Sequence, residues 1–456
     1  MADDKENPES GAGRWAAPLK IKAEDNPWYL LATLYDNPGK VGDFDLRNKN
    51  RLAWNRYFAA NLDNETRTRL IADKRHTAEE LTPFAPEALE QVKAAFEERS
   101  RWSRNKFTLP ASGSYIDFSN VEFQNALFDG YLFGTELTFF DGATFSGYAS
   151  FNGATFSGYA FFRDATFSGG AFFNGATFSG GANFGGAAFY VASFEGATFS
   201  GVAEFYRAKF SDVAKFVRAT FSRGAIFKNA TFNYAIFKSA IFLDGAKFAD
   251  ATFQGLSLFV NAKMKGVTSF ENATFETEPP LFSGAKLHQG TVWRGITWPP
   301  PPKNTVEAGR FLDAYACLKL EMNRLQKHED ELDFFALELQ SRCVLLGPWR
   351  GLPIWLYGVL SDYGRSYARP FLWLLVVAAI GAVLLVFSDA LPIEKSFDLS
   401  FANTFNVFGF RKDFFDSHYI ENLPAALKIL AAIQTILGVI LLFLFGLGVR
   451  NKFRMK

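Results

Sequence analysis

The chain has 456 residues with 48 Lys plus Arg against 47 Asp plus Glu, and its net charge of +1 gives no hint of a polyanionic partner. Fifty-three Phe against four Met, with 37 Gly, is far from ordinary usage and points to a repeat rather than to a catalytic site. Only two cysteines occur, Cys317 and Cys343, which excludes a disulfide framework and suits a reducing compartment.

The N-terminus, Met1 to Asn7, is polar and acidic with no apolar signal core behind it, so no cleaved leader and a cytoplasmic default are expected. Residues 1–110 read as a mostly helical domain whose first ~20 residues are disordered. Trp28, Tyr29, Trp54, Tyr57 and Phe58 form its aromatic cluster, the last three at helical spacing, and a helix is predicted from Pro86 to Arg101. Such a domain is expected to cap the open first coil of the repeat region beyond residue 110.

From Ala143 the chain reads ATFSGYASFNG, ATFSGYAFFRD, ATFSGGAFFNG, ATFSGGANFGG, a unit of eleven residues split five and six. Phe145, Phe156, Phe167, Phe178 and Phe189 form one series, and Phe151, Phe162, Phe173 and Phe184 a second. The frame runs back to Phe118 and on through Phe275 with one-residue deletions. A small residue, commonly Ala, stands two before each Phe, so both point inward from extended backbone. Gly, Asn, Asp and Ser after the Phe tolerate the dihedrals of a tight corner. Four faces close one coil of about 22 residues, and residues 111–292 then make about eight coils stacked at ~4.8 Å.

This pattern resembles the pentapeptide-repeat family, in its Phe-rich subgroup. The resemblance implies a right-handed quadrilateral β-helix with the nine phenylalanines just named in its core. Some pentapeptide-repeat proteins mimic duplex DNA with an acidic surface and inhibit a topoisomerase. Fourteen Asp plus Glu against twelve Lys plus Arg over residues 111–290 argue against such a mimic, and no nucleic-acid partner is expected. A protein partner docking on the repeat surface is expected instead.

Residues 293–369 begin with a stiff run of four prolines after Trp298. Phe311, Leu318, Leu325, Leu332, Leu339 and Leu346 then recur every seven residues, predicting one helix over 305–346 with an apolar seam for a second copy of the chain. His328, Glu329 and Glu331 lack the HExxH spacing and read as a solvated face; His76, His288 and His418 are scattered elsewhere. The segment 356–370, mixing Tyr with Arg, reads as an interfacial anchor.

Residues 370–456 carry two uncharged apolar runs, predicted as transmembrane helices over about 370–388 and 427–449. Arg350, Arg365 and Arg369 precede the first, and Arg450, Lys452, Arg454 and Lys456 follow the second. The 388–428 loop has six acids against four bases, so positive-inside puts both termini in the cytoplasm of a multi-pass inner-membrane protein in contact with lipid. Gln434 lies deep in the second run and calls for a partner helix, which with the 305–346 seam predicts a homo-oligomer.

The two-span segment resembles a diverged tetrameric cation-channel pore, a module appended to pentapeptide repeats in some bacterial proteins. The resemblance puts 401–410, FANTFNVFGF, in the place of pore helix and filter, with Thr404, Val407, Phe408 and Gly409 as the filter candidates. It departs from a TVGYG-like stretch by the bulky Phe405 and Phe408. There is no Gly-rich phosphate loop, nucleophile elbow, Cys/His pair or clustered carboxylate set in the repeat. The reading is a non-enzymatic membrane-anchored scaffold without cofactor or metal, with a channel-like protein as the alternative.

Overall fold

The computed structural model describes residues 19–37, 43–101, 103–388, 392–415 and 423–454. The stretch expected to be disordered, together with His418 and Lys456, lies outside these residues apart from Leu19 and Lys20. The chain divides into two compact units, Met1–Phe275 with Gly290–Thr297, and Glu276–Gln289 with Trp298–Lys456.

The first unit is a parallel β-solenoid preceded by helices. Its strands are two to seven residues long and form one 12-stranded and two 7-stranded parallel sheets. Strand registers place Phe145 over Phe123 and under Phe167, then Phe189, Phe210, Phe232, Phe253 and Phe275 in one column. Phe156, Phe178, Phe199, Phe221 and Phe242 make a second column, ended by Met264. Two further columns hold Phe151 and Phe173, and Phe162 and Phe184.

Every one of these rings is buried. Along a column the rings lie parallel, as for Phe145 and Phe167 at 4.5 Å and 2° or Phe156 and Phe178 at 4.9 Å and 3°. Aromatic surfaces touch at roughly 3.5 Å, so parallel rings with centroids this far apart are slid past one another, the offset stack that the ring quadrupole favours. Across the coil the neighbours meet edge to face, Phe151 against Phe162 at 5.8 Å and 88° and Phe162 against Phe173 at 5.5 Å and 88°. The Ala two residues earlier, such as Ala143, Ala154 and Ala165, is fully buried beside each ring.

Corners alternate between two kinds, which accounts for the extra residue in alternate repeats. After Phe140, Phe151 and Phe162 the chain makes a four-residue turn closed by Ala143 N to Phe140 O, Ala154 N to Phe151 O and Ala165 N to Phe162 O. The third turn residue has positive φ, as in Gly142 (64°), Gly153 (64°) and Asp164 (55°), which is why Gly, Asn and Asp recur there. At the other corners the backbone of one coil bears on the next. A methyl group on Gly169 would overlap the carbonyl of Gly147, and one on Gly180 the carbonyl of Gly158.

The helices α1 (Pro27–Ala32), α2 (Phe44–Ala59), α3 (Asn64–Ala72) and α4 (Pro86–Ser100) cover the start of the solenoid. Asn26 caps α1 by accepting from the amides of Trp28 and Tyr29, and its side chain donates to Asp117 O. A two-residue strand, Ile21–Lys22, adds in parallel to Val121–Glu122. The indole of Trp54 donates to Leu132 O at 2.8 Å and packs on Phe133, and Asn55 both accepts from Leu132 N and donates to Gly130 O. His76, wholly buried, meets Thr155 Oγ1 at 3.0 Å and Glu80 at 3.5 Å. Burial pushes the Tyr29 hydroxyl up to about 12, helped by the nearby Glu24 charge.

In the second unit, α5 (Thr305–Arg324) and α6 (His328–Ser361) pack as a hairpin. The single helix expected over 305–346 is therefore two, because Gln326 takes a left-handed φ of 56° and reverses the chain. Leu318 is buried in this hairpin, Leu325 sits in its turn, and Leu332 is half-buried near the start of α6. The heptad seam thus serves the chain's own helix pair. Trp298 closes it edge-on to Tyr315 and Phe334, and Glu338, buried, binds Lys319 at 2.5 Å and Arg342 at 2.8 Å. Ahead of it, Glu278 pairs with Arg310 at 3.0 Å and Glu321 accepts from Leu287 N.

Two outcomes check this fold. Phe173→Ala should cost about 3–5 kcal/mol through the lost ring and the cavity left between Phe151 and Phe194. Denaturant unfolding of the full chain reads this, and a cost below about 1 kcal/mol would mean the column is loosely packed. The second concerns Glu80. Burial raises its carboxyl pKa, but hydrogen bonds from His76 and Thr77 N and the Arg51 charge together hold it below the ordinary value. A depressed carboxyl stabilises above its unfolded value near 4.3, and that contribution is lost as pH falls through the folded value. Glu80→Gln should be less stable than wild type at neutral pH, with the gap closing between about pH 5 and pH 3.

Candidate functional site

Three helices are long and apolar enough to cross a membrane by length and composition: α6, α7 (Ala368–Phe387) and α10 (Ala425–Arg454). The intervening α8 (Ile393–Thr404) and α9 (Phe410–Phe414) are short. α7 and α10 run antiparallel. Asn451 near the end of α10 donates to Gly364 O just before α7 begins, and the Tyr367 ring lies against Phe445. A methyl group on Gly448 would overlap the Tyr367 backbone, so the two helices meet there without side chains between them.

Between the other halves of these helices lies α8. Its 12 residues reach about 18 Å, too short to cross a bilayer core. Ser396, Ser400, Asn403 and Thr404, spaced four, three and one apart, share its buried face. Ser400 Oγ donates to Ala378 O of α7 at 2.6 Å and accepts from Gln434 Nε2 of α10 at 2.7 Å. Asn403 Nδ2 donates to Gln434 Oε1 at 3.4 Å, and Thr435 Oγ1 to Asn403 O at 3.2 Å. Two glycines make room. Gly381 faces the Gln434 amide and Ser400, and Gly438 lets the Thr404 backbone lie on α10. A buried amide with partners on two neighbouring helices holds α8 in place, since leaving it unpaired would cost its full desolvation. Gln434, expected to seek a partner helix in another copy, thus has its partners on α7 and α8 of the same chain.

The filter candidates do not come together. Thr404 faces inward, its Oγ1 donating to Ser400 O at 2.9 Å. Val407 and Phe408 are exposed in a 3₁₀ turn over Asn406–Phe408, which ends at Gly409 with φ of 86°. The carbonyls of Phe405 and Asn406 accept from the amides of Phe408 and Gly409, so this stretch does not present a row of free carbonyl oxygens as a potassium filter does. Sequence reasoning passed over Ser396, Ser400 and Asn403. Their recurrence on one helical face within SFDLSFANT was the available signal.

The solenoid offers a different surface. One corner of successive coils carries Tyr148, Gly170, Val191, Val213, Tyr234 and Leu256, of which Tyr148, Tyr234 and Leu256 are exposed, and another edge carries exposed Tyr159, Val202 and Val267. Beside Tyr159 a groove of about 510 Å³ is floored by Gly180, Gly181 and Gly201 and flanked by Glu204 and Arg223. Among the described residues no group of three or more His, Cys, Asp and Glu could hold a metal ion.

Overlapping stretches of the solenoid, residues 151–198, 162–209, 194–241 and 205–252, match the family described as pentapeptide repeats, nine copies. A parallel solenoid with a Phe at nearly every inward centre defines a repeat protein of this class. Residues 151–252 are thus pentapeptide repeats of that family, and apolar helices of membrane-spanning length follow the solenoid in the chain. Neither the curated proteins nor the solved structures supply a match.

Substitutions in the α7, α8 and α10 cluster should separate packing from hydrogen bonding. Gln434→Ala should lower the stability of the detergent-purified chain by about 1 kcal/mol, the scale of a polar contact between membrane helices. Gly438→Leu should cost more, about 1–3 kcal/mol, because its side chain must displace the Thr404 backbone. Thermal unfolding reads both, and equal effects would mean that α8 is not seated on α10.

Proposed function

We propose that the protein is a non-enzymatic, membrane-anchored scaffold whose solenoid is held on the cytoplasmic side by α7 and α10. The observation that carries this reading is the division of labour in the solenoid. Its interior is filled by stacked rings and leaves no room for a substrate, while the exposed Tyr148 and Tyr234 (56% and 43% exposed) sit with Leu256 on its outer corners. Tyrosine gives large contact area at low entropic cost and anchors protein interfaces. Arg350, Arg365 and Arg369 on one side of α7, with Arg450 and Lys452 at the same end of α10, favour a cytoplasmic location for both termini. Photo-crosslinkers at 148 and 234 in native membranes should capture a protein partner that the combined Tyr148→Ala, Tyr234→Ala, Leu256→Ala variant no longer retains. Retention by that variant would sink the docking face.

One observation favours a second reading, that of a channel-like protein with the solenoid as its regulatory arm. A half-length helix seated between two antiparallel span-length helices is where a pore helix stands, and several copies around an axis would gather the turn at 406–409. Purified protein in planar bilayers decides between the readings. Currents abolished by substitutions at Thr404 or Gly409 would replace the scaffold, and silence across ions and voltages would leave it standing.

A further inference from the structure

Helix α6 is counted among the three of membrane-spanning length, yet it is broken. Gly347 has φ of 73° and ψ of −179°, outside helical space, and Pro348 follows it at the start of the next helical stretch. Glycine alone adopts that extended left-handed backbone without strain, and proline at a helix start forfeits no hydrogen bond. The portion after the break, residues 348–361, extends about 21 Å at 1.5 Å per residue, well short of the ~30 Å hydrocarbon core. The portion before it, opening HEDELD, pairs Glu338 with Lys319 and Arg342. Neither part is a span.

The stretch after the break has two faces. Gly351 lies against the carbonyl and Sγ of Cys343, and Gly358 against the ring of Tyr363, so this face is packed at backbone distance. The other face carries Trp349 (87% exposed), Leu352 (44%), Trp355 (54%) and Leu356. Positions 349, 352 and 356, with 355 beside them, fall on one stripe of this helix. Tryptophan joins an apolar ring to an N–H donor and settles where hydrocarbon meets headgroup.

Connectivity ties this stretch to the start of α7. Asp362, just past the last helical residue, holds Arg365 at 3.0 Å and Arg369 at 3.5 Å, and Arg369 already lies in the first turn of α7. Arg369 Nη1 also donates to Gly358 O at 3.5 Å, so the C-terminal end of this stretch lies at the start of α7, the end of a span that sits in the headgroup layer.

We propose that residues 348–361 lie flat in the headgroup layer of the bilayer, with Trp349, Leu352, Trp355 and Leu356 turned into the acyl boundary. The partner of this face is lipid. The inference rests on the reading of α7 and α10 as spans. An in-plane helix of this kind binds through buried apolar area and interfacial tryptophan, with no crossing of the core.

Depth measurement tests it. The full chain, with Cys317→Ser and Cys343→Ser, receives a single cysteine at Trp349, Leu352, Trp355 or Val376, is labelled with an environment-sensitive nitrobenzoxadiazole dye, and is reconstituted in phosphatidylcholine vesicles. Quenching by lipids spin-labelled at acyl carbon 5 is compared with quenching by those labelled at carbon 12. Probes at 349, 352 and 355 should all be quenched more strongly by the shallow label, to a similar degree, with the probe at 376 quenched more by the deep one. Depth that increases steadily from 349 to 355 would make this stretch part of a span and overturn the inference. Water-like emission at 349, 352 and 355 overturns it, and so does apolar emission that neither lipid quenches, the signature of a second copy covering the stripe. If the 376 probe also escapes lipid, the spanning reading itself has failed. Leu352→Cys keeps both tryptophans, so its result stands if either tryptophan variant fails to fold.

Discussion

Parallel strands in register place the same side chain of every coil directly above its predecessor, at a distance set by backbone hydrogen bonds. Whatever fills the interior must tolerate being stacked on itself at that spacing. Phenylalanine does so by sliding its parallel rings into an offset stack, as in the run from Phe145 through Phe167 and Phe189 to Phe210. The remaining choices depend on this one. Four rings meet in each coil, alternately tilted and edge to face, and consume the interior, so the companion inward position has space only for Ala. Corners must turn within a few atoms, so Gly, Asn and Asp take positive φ at one kind, and glycines that accept a carbonyl from the coil below line much of the other. Each buried ring contributes about 1.5–3 kcal/mol.

A stack so regular must be stopped at its ends, where the next coil's hydrogen-bonding groups have no partner. At the beginning the stop is made by backbone and side chains together. The Ile21–Lys22 strand takes one edge, Trp54 and Asn55 satisfy carbonyls and an amide of the first coils, and the ring of Trp54 continues the aromatic packing onto Phe133. Toward the other end one column substitutes Trp293, stacked on Phe270 at 4.9 Å, for a phenylalanine. An indole covers a wider area than a phenyl ring and suits a layer with fewer neighbours above it.

The repeat was legible because its signal is periodic and redundant. Any single coil predicts the others, and the inward position of the nine phenylalanines from Phe145 to Phe189 follows from spacing alone. The helical segments were legible in content and less so in connection. Leu318, Leu325 and Leu332 kept a seven-residue beat straight through a chain reversal, because Gln326 and Lys327 carry no breaker signal and the turn depends on one left-handed residue. The break at Gly347 and Pro348 was visible as a dipeptide, but the apolar residues around it masked it. In the C-terminal segment hydropathy located α7 and α10 and was silent on α8, whose buried face is made of Ser, Asn and Thr. That face is intelligible only once Gln434 is seen to bind it, and a buried amide in one sequence does not say whether its partner lies in the same chain or in another copy.

Register shifts in the solenoid come in whole coils, Phe167 to Phe189 and Phe189 to Phe210, and each coil bonds only to the one before and the one after. A coil inserted or removed anywhere between Phe145 and Phe253 would find the same floor and ceiling, leaving Trp54 and Trp293 to close the same ends. Length is thus the one property of this repeat that can drift without penalty to folding. The spacing between whatever binds near the N-terminal helices and whatever binds near the last coils is adjustable in increments of a single strand separation, as on a ruler cut in equal divisions.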